Sequence, residues 1–155
     1  MGFPDLWWGL GALLSVALYM LGHYLCRMEN ISQVGLYEID RMTRKDFREF
    51  CRRLLVRVGY QVERPKTAGK WIGFILEKDG TRMGVMVKQS VGPVSARPVE
   101  RAAEGASRNR CHRAIVLSNR EFTREARERS RELGEELWGR DKLADLLIVA
   151  RSSGK

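Results

Sequence analysis

Basic residues that could contact phosphate groups are concentrated in the second half of the chain. Between Arg97 and Arg131 there are ten arginines, several of which alternate with glutamates as on a salt-bridged helix face. Arginine forms bidentate hydrogen bonds with phosphate, so the basic residues with few acidic neighbours are the best candidates for contacts with a polyanion. Seven residues fit this description: Lys66, Lys70, Arg97, Arg101, Arg108, Arg110 and Arg113. Their contacts would give affinity without reading a base sequence.

Lys88 is a candidate for chemistry rather than for binding alone. It follows the apolar run VMV near the end of a predicted strand. Lysines in such places are commonly solvated charges, so the residue types alone leave both interpretations open. His112 beside Cys111 has no second pair of ligands at a suitable spacing, which disfavours a metal site there.

The composition excludes several classes of protein. The chain has 155 residues, of which 44% are hydrophobic and 30% charged, as expected for one folded domain with a short appendage rather than a disordered chain. Its net charge of +9 favours an anionic partner. The three cysteines lack any short paired spacing, which argues against a disulfide scaffold and favours a reducing compartment.

The segment from Leu6 to Cys26 carries no formal charge and is long enough to predict a helix that spans a bilayer. A buried core helix and a cleaved signal peptide are the alternatives. Basic residues follow the segment and none precedes it, which predicts a single-pass protein of the cell membrane with its C-terminal domain in the cytoplasm. Residues 1–26 would form the anchor and 27–41 a linker.

Residues 42–150 predict a mixed α/β layer structure followed by a disordered tail at 151–155. Thr43 and Thr123 are suited to cap helices, and Asp79-Gly80 predicts a tight hairpin. The predicted order is α, β, β, β, α, β, α, β, α, with a first helix from Met42 and later elements at 60–63, 71–77, 82–89, 98–108, 114–118, 124–133, 137–138 and 141–147.

This order and several strings resemble the Mrr-type restriction endonuclease domain of the PD-(D/E)xK nuclease superfamily. The resemblance covers about 42–147. Its best pieces are MTRKDFREFCRRLLVRVGYQVE, the hairpin with VMVK, the PV before the next helix, FTREARERS and LWGRDKLADLL. The resemblance implies a restriction-endonuclease-like mixed sheet flanked by helices and, in active members, Mg²⁺-dependent cleavage of DNA.

The resemblance also implies positions for the family's site, and most of its acids are missing. The Asp of the family pattern D…(Q/E)xK falls on Gly73, the Gln or Glu falls on Met86, and the Lys falls on Lys88. The Glu that often follows the helix phenylalanine is replaced by Arg48. Without acidic oxygens a divalent ion has no site, so no cofactor is expected.

The sequence therefore predicts a membrane-anchored, restriction-endonuclease-like protein that binds DNA through phosphate contacts and has lost or impaired cleavage. The first alternative is an active Mg²⁺ endonuclease with relocated acids. Glu49 and Glu77 are poorly placed to replace the missing ligands, and Glu63 stays open as a candidate. The second is a non-catalytic subunit of a membrane complex, with protein partners or a second copy of the chain.

Overall fold

A five-stranded mixed sheet forms the centre of the molecule in the computed structural model, which describes residues 11–22, 34–66 and 71–153. The strand order follows the chain, with β1 to β3 antiparallel and β3 to β5 parallel. The strands are β1 (Gln61–Glu63), β2 (Phe74–Lys78), β3 (Thr81–Lys88), β4 (Arg113–Ser118) and β5 (Glu136–Trp138).

Helices cover both faces of this sheet. The described helices are α1 (residues 11–22), α2 (Leu36–Asp40), α3 (Arg44–Arg57), α4 (Ala96–Arg108), α5 (Arg124–Leu133) and α6 (Arg140–Ser152). One apolar core lies between the sheet and α2, α3 and α6, and a second lies between the sheet, α4 and α5. The mixed α/β fold predicted from the sequence is confirmed.

Local signals in the sequence set the ends of several elements. The side chains of Thr43 and Thr123 each accept a hydrogen bond, at 3.2 Å, from a backbone N–H in the first turn of their helices. Asp79 and Gly80 both have positive φ, as the tight turn between β2 and β3 requires. Gly134 ends α5 in the left-handed conformation.

Helix α4 packs unusually close to the sheet. A Cβ at Gly84 would lie 3.1 Å from Cβ of Ala106, and a Cβ at Gly105 would lie 2.7 Å from Cγ1 of Ile72. Glycine at these two positions lets the C-terminal part of α4 approach the sheet and the residues just before β2 closely.

Helix α2 lies where the sequence predicted part of a linker. Its Ile39 is fully buried, and Asp40 accepts hydrogen bonds from Arg140 at 2.9 and 3.0 Å and from Asn119 at 2.9 Å. Burial raises the pKa of Asp40, but the bonds from Arg140 and Asn119 outweigh it and lower the pKa. This short helix is thus part of the folded domain.

At the other end of the domain, α6 extends beyond the sequence prediction. It continues through Ser152, so residues 151–153 are not the start of a disordered tail.

The predicted single-pass membrane localisation is wrong. Within 11–22, 34–66 and 71–153, no helix is both long enough and apolar enough to cross a bilayer. The other residues of the predicted anchor, 6–10 and 23–26, lie outside the described part of the chain.

Candidate functional site

A cleft of about 1210 Å³ opens at the end of the sheet where β2 begins and β3 ends. Helix α3, the residues after β1 and the first turns of α4 form its walls. Its described lining is strongly basic, with eight cationic side chains and two acidic ones. The cationic side chains belong to Arg44, Lys45, Arg48, Arg52, Arg53, Arg64, Lys88 and Arg101.

The periodicity of α3 directs its arginines toward this cleft. Phe47, Cys51 and Leu54 recur at helical spacing and are fully buried in the core. Arg44, Arg48 and Arg52 are spaced four residues apart and therefore share another face of the same helix. Burial of the apolar face thus presents a row of guanidinium groups along the cleft wall.

Both acids of the cleft are already bound by arginines. Glu49 forms ion pairs with Arg52 at 2.8 Å and Arg53 at 3.1 Å, and Glu63 pairs with Arg82 at 3.2 Å. The hydrogen bond from Arg52, aided by Arg53 and opposed by burial, lowers the pKa of Glu49 to about 2. Because arginines neutralise both carboxylates, they would attract a cation in the cleft only weakly.

The remaining six cations of the cleft have no such partners. Among the residues that the structure describes, none forms an ion pair with Arg44, Lys45, Arg48, Arg64, Lys88 or Arg101. The guanidinium of Arg101 instead stacks 4.2 Å from the ring centre of Trp71 at the cleft wall. Within the described part of the chain, the cleft therefore carries positive charge that no carboxylate balances by an ion pair.

The two positions where the resemblance expects acids, Gly73 and Met86, lie just before β2 and near the end of β3. Phe74 pairs with Val85, and the N–H of Gly73 donates to the carbonyl of Val85 at 2.8 Å. Gly73 and Phe74 thus both lie opposite Val85, so the pairing is irregular just before β2 and the described register ends at Phe74. A Cβ at Gly73 would point toward Arg48 of α3, whereas Met86 packs beneath α4, so the two positions lie on different faces of the sheet.

Neither position offers an oxygen ligand. Gly73 has no side chain, and Met86 is 8% exposed, with its thioether packed in the core beneath α4. Mg²⁺ requires oxygen ligands, which a thioether does not supply. No group of three His, Cys, Asp or Glu side chains that could hold a metal occurs in the described ranges. A divalent ion held as the resemblance implies does not fit these residues.

An arginine lies over the empty position instead. A Cβ added at Gly73 would be 3.7 Å from Cδ of Arg48 and 3.8 Å from its Nε. Arg48 is also the residue that replaces the expected helix glutamate. The structure thus brings the guanidinium of Arg48 next to position 73, where the resemblance implies an acid.

Lys88 lies at the end of β3, opposite Ser118 of β4, and lines the same cleft. The chain that follows it is held by Asn119, whose side chain accepts from the N–H of Ser90 at 2.9 Å and donates to its carbonyl at 3.2 Å. Lys88 is two residues beyond Met86 and so about 7 Å along the strand from it.

The seven phosphate-contact candidates from the sequence do not form one surface. Arg101 lines the cleft, Lys66 and Arg97 are exposed near it, and Lys70 lies outside the described residues. The other three, Arg108, Arg110 and Arg113, lie near the opposite end of the sheet, because Arg113 pairs with Met83. Met83 is about 17 Å along β3 from Lys88. That these residues bind nucleic acid stays a prediction.

Sequence reasoning missed the basic face of α3. The resemblance marks Arg48 only as a position without the expected acid, and the sequence prediction of phosphate contacts does not include Arg44, Lys45, Arg52, Arg53 or Arg64. A signal was present, because the spacing of four in R-K-D-F-R-E-F-C-R-R places arginines on a common helix face.

Comparisons with known proteins agree with this architecture. The Mrr_cat family, described as restriction endonuclease, matches residues 39–147. The crystal structure of a protein of unknown function, AF1548, is similar with a TM-score of 0.57 and 17% sequence identity, which is informative about the fold alone. The similarity covers 68% of this chain and 65% of that one, so this chain matches less than two thirds of its length. No curated protein matches the chain.

Proposed function

The chain belongs to the Mrr_cat restriction endonuclease family, and from this premise we propose that it binds duplex DNA in the basic cleft without cleaving it. The observation that carries the proposal is the charge of the cleft, where eight cations outnumber two acids that are both already paired. DNA is the polyanion that a restriction endonuclease domain implies as its partner.

The six cations without ion pairs support backbone binding rather than base reading. Each phosphate that such a cation neutralises releases condensed counterions, which drives binding at low salt and weakens it as salt rises. Contacts of this kind position a duplex but carry no sequence information. The proposal therefore includes DNA binding without sequence specificity.

We propose the loss of cleavage because the side chains at the expected metal-binding positions have no oxygen atoms. Family chemistry needs acidic oxygens to hold a divalent ion beside the phosphate, and Gly73 and Met86 supply none. Lys88 keeps its place, but an ammonium alone neither generates the attacking hydroxide nor holds the metal.

Duplex binding is tested by fluorescence anisotropy with a labelled duplex of about 20 base pairs at salt concentrations from 50 to 300 mM. We expect binding that weakens steeply, with a slope of log K against log salt of roughly −5 if all six free cations contact phosphates. Two duplexes of different sequence should bind equally. Absence of binding at 50 mM salt would contradict the proposal and favour a protein partner.

Cleavage is tested separately with supercoiled plasmid in Mg²⁺ and in Mn²⁺. We expect no nicking by the wild-type chain. Nicking that Lys88→Ala abolishes would overturn the proposed loss of activity and favour the relocated acids, Glu49 and Glu63. Nicking that Lys88→Ala leaves unchanged would indicate a contaminating nuclease, which a repeat purification removes.

A further inference from the structure

This chain differs from the family pattern at positions 48 and 73, and the two differences compensate each other in charge. The family pattern expects an acid at each, whereas this chain has an arginine at one and a glycine at the other. The two lie together, since a Cβ at Gly73 would be 3.8 Å from Nε of Arg48. An aspartate at 73 would therefore pair with Arg48 and cancel its charge.

Arg48 is free to meet an external anion. Its side chain is exposed, and no carboxylate of the described chain pairs with it. Met86 closes the inner wall of this part of the cleft with apolar surface, and Lys88 follows it on the same strand. Arg48 thus lies beside Gly73, and Lys88 lines the same cleft.

We propose that Arg48 replaces the divalent ion of cleaving relatives as the positive charge that holds a backbone phosphodiester, with Lys88 contacting the same phosphate group. This inference rests on the proposed DNA binding and makes it metal-independent. A planar guanidinium suits this role because two of its N–H groups can bind two phosphate oxygens. The guanidinium holds the phosphate but generates no nucleophile, so the site binds DNA without hydrolysing it.

The first test compares wild-type binding to a duplex in EDTA with binding in Mg²⁺ at equal ionic strength. Equal affinity is the expected result, and binding that EDTA abolishes would overturn the inference. A dumbbell duplex without free ends should bind as tightly as the open duplex. Loss of binding to the dumbbell would contradict the assignment of a backbone phosphodiester.

The second test uses variants of the full chain whose folding is checked by circular dichroism. Arg48→Ala should weaken duplex binding about tenfold, as expected for a charge-assisted hydrogen bond, and Arg48→Lys should restore part of the loss. Arg44→Ala is the matched control, since it removes one exposed cation from the same helix and cleft; we expect about a twofold loss. If Arg48→Ala weakens binding no more than Arg44→Ala, the inference fails while DNA binding in the cleft stands. If the wild type binds no duplex, the proposed function itself fails.

The third test reverses the exchange. In Gly73→Asp/Arg48→Glu two carboxylates return to the expected positions, and position 73 has room for a side chain without a close contact. We expect this variant to bind Mn²⁺ by isothermal titration calorimetry and to bind the duplex only when Mn²⁺ is present. The wild type should bind no Mn²⁺ at the same concentration. Tight Mn²⁺ binding by the wild type would overturn the inference.

Discussion

Two regions of this molecule are rich in arginine, and they differ in how the charge is balanced. On the surface formed by α4 and α5, Arg129 pairs with Glu100 at 2.9 Å and Glu132 at 2.7 Å, and Arg124 pairs with Glu128 at 2.9 Å. In the cleft, six cations have no ion pair with any described residue. Arginine content is therefore a poor guide to anion binding, and the distribution of neighbouring carboxylates is a better one.

The comparison also separates local from long-range pairing. Arg124 and Glu128 are four residues apart, so their pairing can be expected from the sequence. Arg129 and Glu100 are 29 residues apart, and Arg113 and Glu136 are 23 apart. Only the folded sheet and its helices bring these two pairs together, which is why arginines that look uncompensated in the sequence are compensated in the structure.

The largest expected effect comes from reversing charge in one region and then in the other. Arg48→Glu/Lys88→Glu should weaken duplex binding about 100-fold or more, because two proposed phosphate contacts become repulsions. Arg124→Glu/Arg131→Glu on α5 changes the net charge equally and should cost less than about threefold through long-range electrostatics. Fluorescence anisotropy at fixed salt measures both, and equal losses would show that net charge alone drives binding.

A smaller effect concerns α4, the helix that forms a wall of both regions. In Gly105→Ala the new Cβ would lie 2.7 Å from Cγ1 of Ile72, so either the Ile72 side chain or the helix must shift. Overpacking typically costs about 1–3 kcal/mol and exceeds the gain of about 0.5–1 kcal/mol from replacing a helical glycine. We expect a net loss of about 1–2 kcal/mol in urea denaturation. Ser107→Ala, an exposed change on α4, is the control and should stay within about 0.5 kcal/mol.

Helix caps give a matched pair of still smaller effects. Thr43→Ala and Thr123→Ala each remove a bond to a first-turn N–H and should destabilise the protein by about 1 kcal/mol. Only Thr43 begins the helix that bears Arg48, so only Thr43→Ala should also weaken duplex binding, by about twofold to threefold. Equal binding by the two variants would indicate that the first turn of α3 does not contact DNA.

The smallest effect is the pH dependence contributed by Glu49. Its pKa is about 2 in the folded protein against 4.5 for an unperturbed glutamate. The ionised form is favoured by folding, so its stabilisation is complete above pH 4.5 and disappears as the pH falls toward 2. The urea midpoint of the wild type should exceed that of Glu49→Gln near neutral pH, and the difference should shrink across this window. A difference that grows on acidification would contradict the assignment.

Much of the fold follows from short-range signals. The apolar spacing of Phe47, Phe50 and Leu54 predicts α3, and Asp79-Gly80 predicts the hairpin. Helix α2 was missed because five residues carry too little periodicity, and burial of Ile39 against the distant core holds it in place. The membrane anchor was predicted from an uncharged run, and the structure does not contain a helix of the required length among its described residues.

The candidate site was predictable only in part. The positions Gly73 and Met86 were located by counting from the hairpin, and their correspondence to the family's acids stays a prediction, because the described register of β2 and β3 ends at Phe74 and Val85. That Arg48 lies over Gly73 could not be foreseen, because the two residues belong to different elements whose separation depends on how α3 packs on the sheet. The cleft itself is a property of this packing.

One side chain ties the two walls of the cleft together. Gln89, directly after Lys88, donates through its Nε2 to the carbonyl of Met42, which precedes the cap of α3. This hydrogen bond links the end of β3 to the residue before the cap of α3, and we expect it to persist when DNA fills the cleft. A cleft that already has the width needed for DNA uses no binding energy to close. Hydrogen exchange at the end of β3 should therefore slow little when DNA fills the cleft.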